Sequence, residues 1–112
     1  MKKVFLTIVF VVALVVSANA QKIYPADNEN QADVKIYIVN SENQADLCVY
    51  NINHESSTVR NDGKWYFVNS EKQAEKKVFF VDNENKADLK IFFVKNENQA
   101  KWKNNSKDYL LK

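Results

Sequence analysis

The sequence predicts an all-β domain assembled from short tandem repeats, in which a single helical turn can form at each corner. The prediction rests on a recurring glutamate, an alanine three residues after it in most copies, and the strand-like apolar run that follows. The glutamates are Glu29, Glu42, Glu55, Glu71, Glu84 and Glu97, and the alanines are Ala32, Ala45, Ala74, Ala87 and Ala100. Because so short a repeat buries too little apolar area to offset its own ordering, the copies are expected to share one core.

Residues 1–20 have the pattern of a cleaved secretory signal peptide. Lys2 and Lys3 precede an apolar run at residues 4–16, and Ala18-Asn19-Ala20 is a small-x-small cleavage site. The run is shorter than the roughly 20 residues of a membrane-spanning helix. We therefore expect cleavage after Ala20 and a secreted or periplasmic protein, with an uncleaved membrane anchor as the alternative.

The mature chain, residues 21–112, is expected to form one domain, because it is too short for two. Loss of Lys2 and Lys3 leaves 14 basic against 14 acidic side chains, so no net charge draws the chain to nucleic acid. Stable membrane insertion of the mature chain is not expected. The sequence identifies no partner, and it is compatible with a homodimer.

The apolar runs are predicted to be strands, because they are rich in β-branched and aromatic residues and are bounded by Asn, Asp and Ser. They are DVKIYIV at 33–39, DLCVYNI at 46–52, KWYFVNS at 64–70, EKKVFFV at 75–81 and DLKIFFV at 88–94, while KIYPAD at 22–27 looks like the end of an earlier copy. In the last run, alternation places Leu89 and Ile91 on one face and Lys90 and Phe92 on the other. The first face is apolar throughout, whereas the second begins charged and ends apolar.

The polar segment before each strand is predicted to form one capped helical turn, with an irregular β-corner as the alternative. Residues 41–44 and 70–73 match the capping box, in which a serine side chain caps a backbone N–H group. Asn28 and Asn96 can cap in the same way. A glutamate just inside the cap lies at the positive end of the turn, where its charge is favourable.

A lysine six residues after the glutamate is expected to offset repulsion between glutamates of neighbouring copies. These lysines are Lys35, Lys77, Lys90 and Lys103. The spacings between successive glutamates are 13, 13, 16, 13 and 13, a series that is the same in both directions. This symmetry suggests two related halves joined by a longer crossover, in which Asp62-Gly63 is a turn dipeptide.

The segments NENQADVKIYIVNSENQADLCVY, NDGKWYFVNSEKQAEKKVFFVD and NENKADLKIFFVKNENQAKW resemble the 7(1) septoil knot domain family. The resemblance covers essentially the whole mature chain. It implies a small β domain whose backbone forms a seven-crossing torus knot, with the two halves of the repeat wound around each other. It brings no established activity, so no catalytic residue is carried over. Ser57-Thr58 departs from the Gln-Ala pattern of the other copies.

No residue set in the sequence indicates catalysis, a metal or a cofactor. His54 occupies a position that asparagine or serine fills in the other copies, so it is interpreted as a turn residue. The segment 27–33 alternates oxygen-bearing side chains as calcium loops do, but it lacks their glycine and twelfth-position glutamate. Cys48 stands where sibling copies have lysine, and it is a candidate reactive thiol that is either free or in an intermolecular disulfide.

Aromatic side chains recur at one repeat position, at Tyr37, Tyr50, Tyr66, Phe79 and Phe92. Such a stripe is typical of a packed ladder, although an exposed stripe can stack on sugar rings or on a partner. We expect a non-enzymatic structural or binding module. The alternatives are a small hydrolase or toxin-like factor that uses His54, and a glycan or partner adhesion module that uses the stripe.

Overall fold

The computed structural model describes residues 20–53 and 61–112. Most of the predicted signal peptide lies outside these residues, as do His54, Glu55 and Ser57-Thr58. In the part of the chain that is described, no helix has the length and apolar character needed to cross a membrane.

Seven strands and six 3₁₀-helical segments make up the described chain. The strands are β1 Gln21–Pro25, β2 Val34–Ile38, β3 Leu47–Asn51, β4 Lys64–Phe67, β5 Lys76–Phe80, β6 Leu89–Phe93 and β7 Lys101–Trp102. The 3₁₀ segments are Glu29–Gln31, Glu42–Gln44, Glu71–Gln73, Glu84–Lys86, Glu97–Gln99 and Asn105–Leu111. The predicted strands are confirmed, with ends somewhat shorter than the apolar runs, and the predicted helical turns form at each described corner.

Strands β1 to β6 close into a parallel barrel. Their order around the barrel is β4-β1-β5-β2-β6-β3, and a further pairing between β3 and β4 closes the ring. The short β7 pairs antiparallel with the start of β3. Strands β1–β3 come from the first half of the repeat array and β4–β6 from the second half. The strands of the two halves therefore alternate around the ring. The barrel is therefore built from two intertwined halves, in contrast to most sheets, where consecutive strands are neighbours.

Each strand is offset by two residues from the next strand around the barrel. Lys35 of β2 lies opposite Phe79 of β5, whereas Tyr37, two residues further along β2, lies opposite Lys90 of β6. The same offset recurs around the ring, so the strands are tilted against the barrel axis and enclose a narrow interior. Side chains fill this interior, as they do in other small barrels.

The inner face of the barrel forms the core. Trp65 is the largest fully buried side chain, and it is surrounded by an aliphatic cluster that includes Ile23, Val34, Ile36, Leu47, Val49, Val78, Leu89 and Ile91. The C-terminal 3₁₀ segment adds Leu111 to this cluster. Gln21 Nε2 donates a hydrogen bond to the carbonyl oxygen of Leu111 at 2.6 Å. The last residues of the chain are thus tied to the first strand of the barrel.

The turns are 3₁₀ in type, and the predicted capping boxes are not formed. The N–H group of Gln44 donates to the backbone carbonyl of Ser41 at 3.2 Å, and that of Gln73 donates to Ser70 at 3.1 Å. Since this i to i+3 bond uses the N–H group that a capping serine would serve, neither serine side chain makes a capping hydrogen bond. The predicted side-chain caps at Asn28 and Asn96 are also absent.

The alanine of each described repeat closes its turn. Its N–H group donates to the carbonyl oxygen of the glutamate three residues earlier, at distances between 3.1 and 3.3 Å, in Ala32, Ala45, Ala74, Ala87 and Ala100. The chain then leaves the turn in an extended conformation and enters the next strand. The glutamate and alanine spacing of the sequence is therefore the length of one 3₁₀ turn.

Candidate functional site

The outer face of the barrel carries aromatic residues at the position of the predicted stripe. We call the set the outer belt, and it consists of Tyr24, Tyr37, Tyr50, Tyr66, Phe79 and Phe92, all half-buried. Tyr24 is an addition to the predicted stripe, because its repeat is incomplete. The sequence nevertheless indicates that Tyr24 belongs to the stripe, since KIYP around Tyr24 matches KIYI around Tyr37.

The register places a lysine beside most residues of the outer belt. Tyr66 lies opposite Lys22, Tyr24 opposite Lys77, Phe79 opposite Lys35, Tyr37 opposite Lys90, and Tyr50 opposite Lys64. Phe92 differs, because it lies opposite Cys48. The prediction of a packed ladder of aromatic rings is therefore wrong. Because neighbouring strands are offset by two residues, each ring lies opposite a lysine or Cys48 and not opposite another ring of the outer belt. The ring contacts found within the described chain join Trp65 to Phe67 and Phe67 to Phe80, which pack in or against the core.

Acidic side chains just before the strands bond to backbone groups of the other half of the repeat. Carboxylate oxygens of Asp33, Asp46 and Asp88 accept hydrogen bonds from the N–H groups of Lys77, Lys90 and Lys35 at 2.9 to 3.0 Å, and Glu75 accepts one from Lys22. Each bond satisfies a backbone donor where a strand begins. The sequence does not reveal this role, because the donor lies 44 or 53 residues from the acid.

Two of these lysines form an ion pair with the glutamate six residues earlier in their own repeat. Lys77 Nζ lies 3.2 Å from Glu71 and Lys90 Nζ lies 3.5 Å from Glu84. Lys103 instead pairs with Glu42 of another repeat, at 3.4 Å. Glu42 accepts this partner from another repeat because the lysine position of its own repeat holds Cys48.

Cys48 is a free thiol that is fully buried in the folded chain. It lies on β3 between Phe92 of β6 and Lys101 of β7. Burial raises the pKa of the Cys48 thiol, and the nearby carboxylate of Glu42 raises this pKa further, against lowering by Lys103 and Lys101. A thiol that is buried and has a raised pKa is a poor nucleophile, so we expect Cys48 to be unreactive while the chain is folded.

We expect Cys48 to react with a disulfide reagent at least about 100-fold more slowly in the native protein than in concentrated guanidinium chloride. Because its pKa is raised on folding, the unfolded chain loses this proton first, and stability falls as the pH rises above about 8.5. Denaturant titrations across pH 7 to 10 would show this fall in the wild type and a shallower one in Cys48→Ala. Equal slopes, or rapid native labelling, would contradict the assignment.

Two grooves built from the same repeat positions lie beside the outer belt. Groove A, of about 230 Å³, is lined by Glu29, Phe79, Phe80, Val81, Asp82 and Lys86. Groove B, of about 220 Å³, is lined by Glu42, Phe92, Phe93, Val94, Lys95 and Gln99, together with Asn96. In each, the end of a strand supplies the aromatic and apolar wall, and a 3₁₀ turn from the other half supplies a glutamate.

The two grooves are related by one step of the repeat. Glu29 of groove A corresponds to Glu42 of groove B, and Phe79 corresponds to Phe92. A third and wider groove is lined by Lys64, Asn96, Glu97 and Asn98, and none of its lining residues among 20–53 and 61–112 is aromatic. The repeat therefore produces a duplicated surface feature, which combines an aromatic ring, an apolar strand end and a carboxylate.

Residues 20–53 and 61–112 contain no group of three or more His, Cys, Asp or Glu side chains placed to hold a metal ion. The family model of the 7(1) septoil knot domain matches residues 20–103, which include all seven strands. No curated protein and no solved structure matches the chain.

Proposed function

The chain belongs to the 7(1) septoil knot domain family. We propose that it works outside the cytoplasm as a small, non-enzymatic binding module. The observation that supports the proposal is the pair of grooves A and B, which occur at equivalent repeat positions of one closed barrel. Both grooves are formed where strands meet turns, and the paired strands hold their walls in place. A concave surface with apolar walls and a few polar groups is the usual form of a binding site.

Export is supported by the signal pattern of residues 1–20. Ala20 is fully buried and Gln21 is 3% exposed, since β1 begins at Gln21 inside the barrel. A peptidase needs an accessible, extended chain, so cleavage after Ala20 has to precede closure of the barrel. Barrel closure depends on pairing between strands that are far apart in sequence, which is slow and leaves time for processing.

Binding rather than chemistry is supported by the contacts of several acidic side chains outside the grooves. The carboxylates before the strands are bonded to backbone N–H groups, and Glu71 and Glu84 are in ion pairs. A general base has to reach a proton of the substrate, and these groups are directed to the protein's own backbone and lysines. The hydrolase or toxin-like alternative depends on His54, and it remains the competing proposal.

The first test is export. The full chain, produced in a host with a general secretion pathway, is expected outside the cytoplasm with Gln21 as its first residue. N-terminal sequencing of each cell fraction checks this result. A folded cytoplasmic chain that still begins at Met1 would contradict the export part of the proposal.

The second test separates binding from catalysis. Mature protein is applied to arrays of glycans, phospholipid vesicles and peptides, and bound compounds are analysed by mass spectrometry over several hours. The wild type and His54→Ala are expected to retain the same compounds unchanged, whereas Phe79→Leu/Phe92→Leu loses about tenfold or more in affinity. Conversion of a compound by the wild type but not by His54→Ala would overturn the proposal in favour of an enzyme, and retention of nothing would also overturn it.

A further inference from the structure

We propose that grooves A and B are two carbohydrate subsites for a neutral glycan, and that they face different directions, so that one protein molecule bridges two glycan chains. The inference rests on the proposed binding function and adds the ligand class and the valency. The ring of Phe79 or Phe92 takes the apolar C–H face of a pyranose. The glutamate in each groove accepts hydrogen bonds from sugar hydroxyl groups, and Glu42 does so with the carboxylate oxygen that is not paired with Lys103.

The charges of the grooves favour a neutral ligand. Asp82 of groove A corresponds to Lys95 of groove B, and Lys86 corresponds to Gln99. A ligand that both grooves accept cannot depend on a charge that changes sign or disappears between them. What the grooves share is an aromatic ring, an apolar strand end and one carboxylate, which suits a ligand with an apolar face and a rim of hydroxyl groups.

The size of the grooves favours a single sugar unit in each. Their volumes, about 230 and 220 Å³, lie below the roughly 300–1,000 Å³ of pockets that enclose a drug-sized ligand. Both grooves are open beside the outer belt, so a longer chain can extend out of either one. We therefore expect weak binding at each groove and stronger retention where one polymer offers many units.

The strand order places the grooves on different sides of the barrel. Groove A is built on the end of β5 and groove B on the end of β6, with β2 between these strands. In a closed ring of six strands, two steps correspond to about a third of a turn. A straight glycan chain cannot lie in both grooves at that angle, so the second groove is free to bind a second chain.

The test uses native gels that contain hydroxyethylcellulose or glycol chitin, two soluble polymers of β-1,4-linked sugars. The wild type is expected to be retarded in at least one gel, and the two gels distinguish a glucose from an N-acetylglucosamine source. Phe79→Leu and Phe92→Leu are each expected to reduce retardation, and the double variant is expected to weaken binding about tenfold or more. Leucine keeps an apolar side chain in the wall, and thermal melting confirms that each variant is folded.

Tyr37→Leu is the matched control, because Tyr37 is a half-buried member of the outer belt that lines neither groove. Its retardation is expected to equal that of the wild type. Bridging is measured by light scattering of the polymer on addition of protein that sedimentation shows to be monomeric. The wild type is expected to increase the scattering, and each single phenylalanine variant is expected to abolish the increase.

Three results would overturn the inference. The first is a lack of retardation in both gels, and the second is an equal loss in Tyr37→Leu. The third is an increase in light scattering that persists in the single variants. Bridging would then not require both grooves. If the arrays show that grooves A and B retain a different class of compound, the carbohydrate inference fails while the proposed binding function stands.

Discussion

Replacing Trp65 with alanine is expected to lower the free energy of unfolding by about 3–5 kcal/mol. Trp65 is fully buried in the barrel and makes an edge-to-face contact with Phe67, with ring centroids 5.9 Å apart. The corresponding inner residues of neighbouring strands are aliphatic, such as Ile23 and Val49. They cannot move into the space that the indole leaves, because the six strands form a closed ring of backbone hydrogen bonds. The variant therefore keeps most of the cavity, and a cavity that does not collapse gives the largest loss in the free energy of unfolding.

Equilibrium denaturation, followed by circular dichroism in both directions, checks this value. Long incubation is needed because partner strands are far apart in sequence, which slows folding. Trp102→Ala is the control, since Trp102 is only half-buried and is expected to cost about 1–2 kcal/mol. Trp65→Phe is expected to cost less than Trp65→Ala, because phenylalanine refills most of the cavity. Neither variant loses a hydrogen bond of the indole nitrogen, which has no partner among the described residues. Similar losses for Trp65→Ala and Trp102→Ala would refute this account of the core.

The sequence predicts the elements of the fold but not the pairing of the strands. Alternation in DLKIFFV correctly places Leu89 and Ile91 on the inner face, and the spacing of the glutamates correctly indicates two halves. Neither pattern indicates that Val34 pairs with Val78 or that Ile36 pairs with Leu89. Similar runs occur in every copy, so the local sequence makes many partners equally suitable, and the choice is made by closure of the whole ring.

The candidate site, like the fold, can be predicted from the sequence only in part, because strand pairing decides which residues meet. The aromatic position of the repeat is evident in the sequence, and it supplies Phe79 and Phe92 to grooves A and B. The glutamates that complete the grooves, Glu29 and Glu42, come from the other half of the repeat, so their proximity to these rings depends on the strand order. Repeat periodicity identifies equivalent positions, whereas a binding groove depends on which non-equivalent positions meet.

Replacing Gly63 with alanine is expected to cost about 2–5 kcal/mol, although only one methyl group is added. Gly63 has φ of +94°, which is unfavourable for residues with a side chain. A Cβ atom at this position would lie 2.4 Å from the carbonyl oxygen of Cys48 and 3.1 Å from the backbone nitrogen of Lys101. Both neighbours are backbone atoms of β3 and β7, so relief of the overlap requires a strand to move.

A double variant identifies which contact is responsible. The Cβ atom of Ala100 would lie 3.3 Å from the added methyl group, so Gly63→Ala/Ala100→Gly removes the side-chain contact and keeps the backbone overlap. We expect the double variant to be no more stable than Gly63→Ala, with Ala100→Gly alone as the reference. We also expect Cys48 to react faster in Gly63→Ala than in the wild type, because the carbonyl of Cys48 has to be displaced. Recovery of stability in the double variant, with Cys48 still unreactive, would show that the side-chain contact is the cause and that the backbone of β3 stays in place.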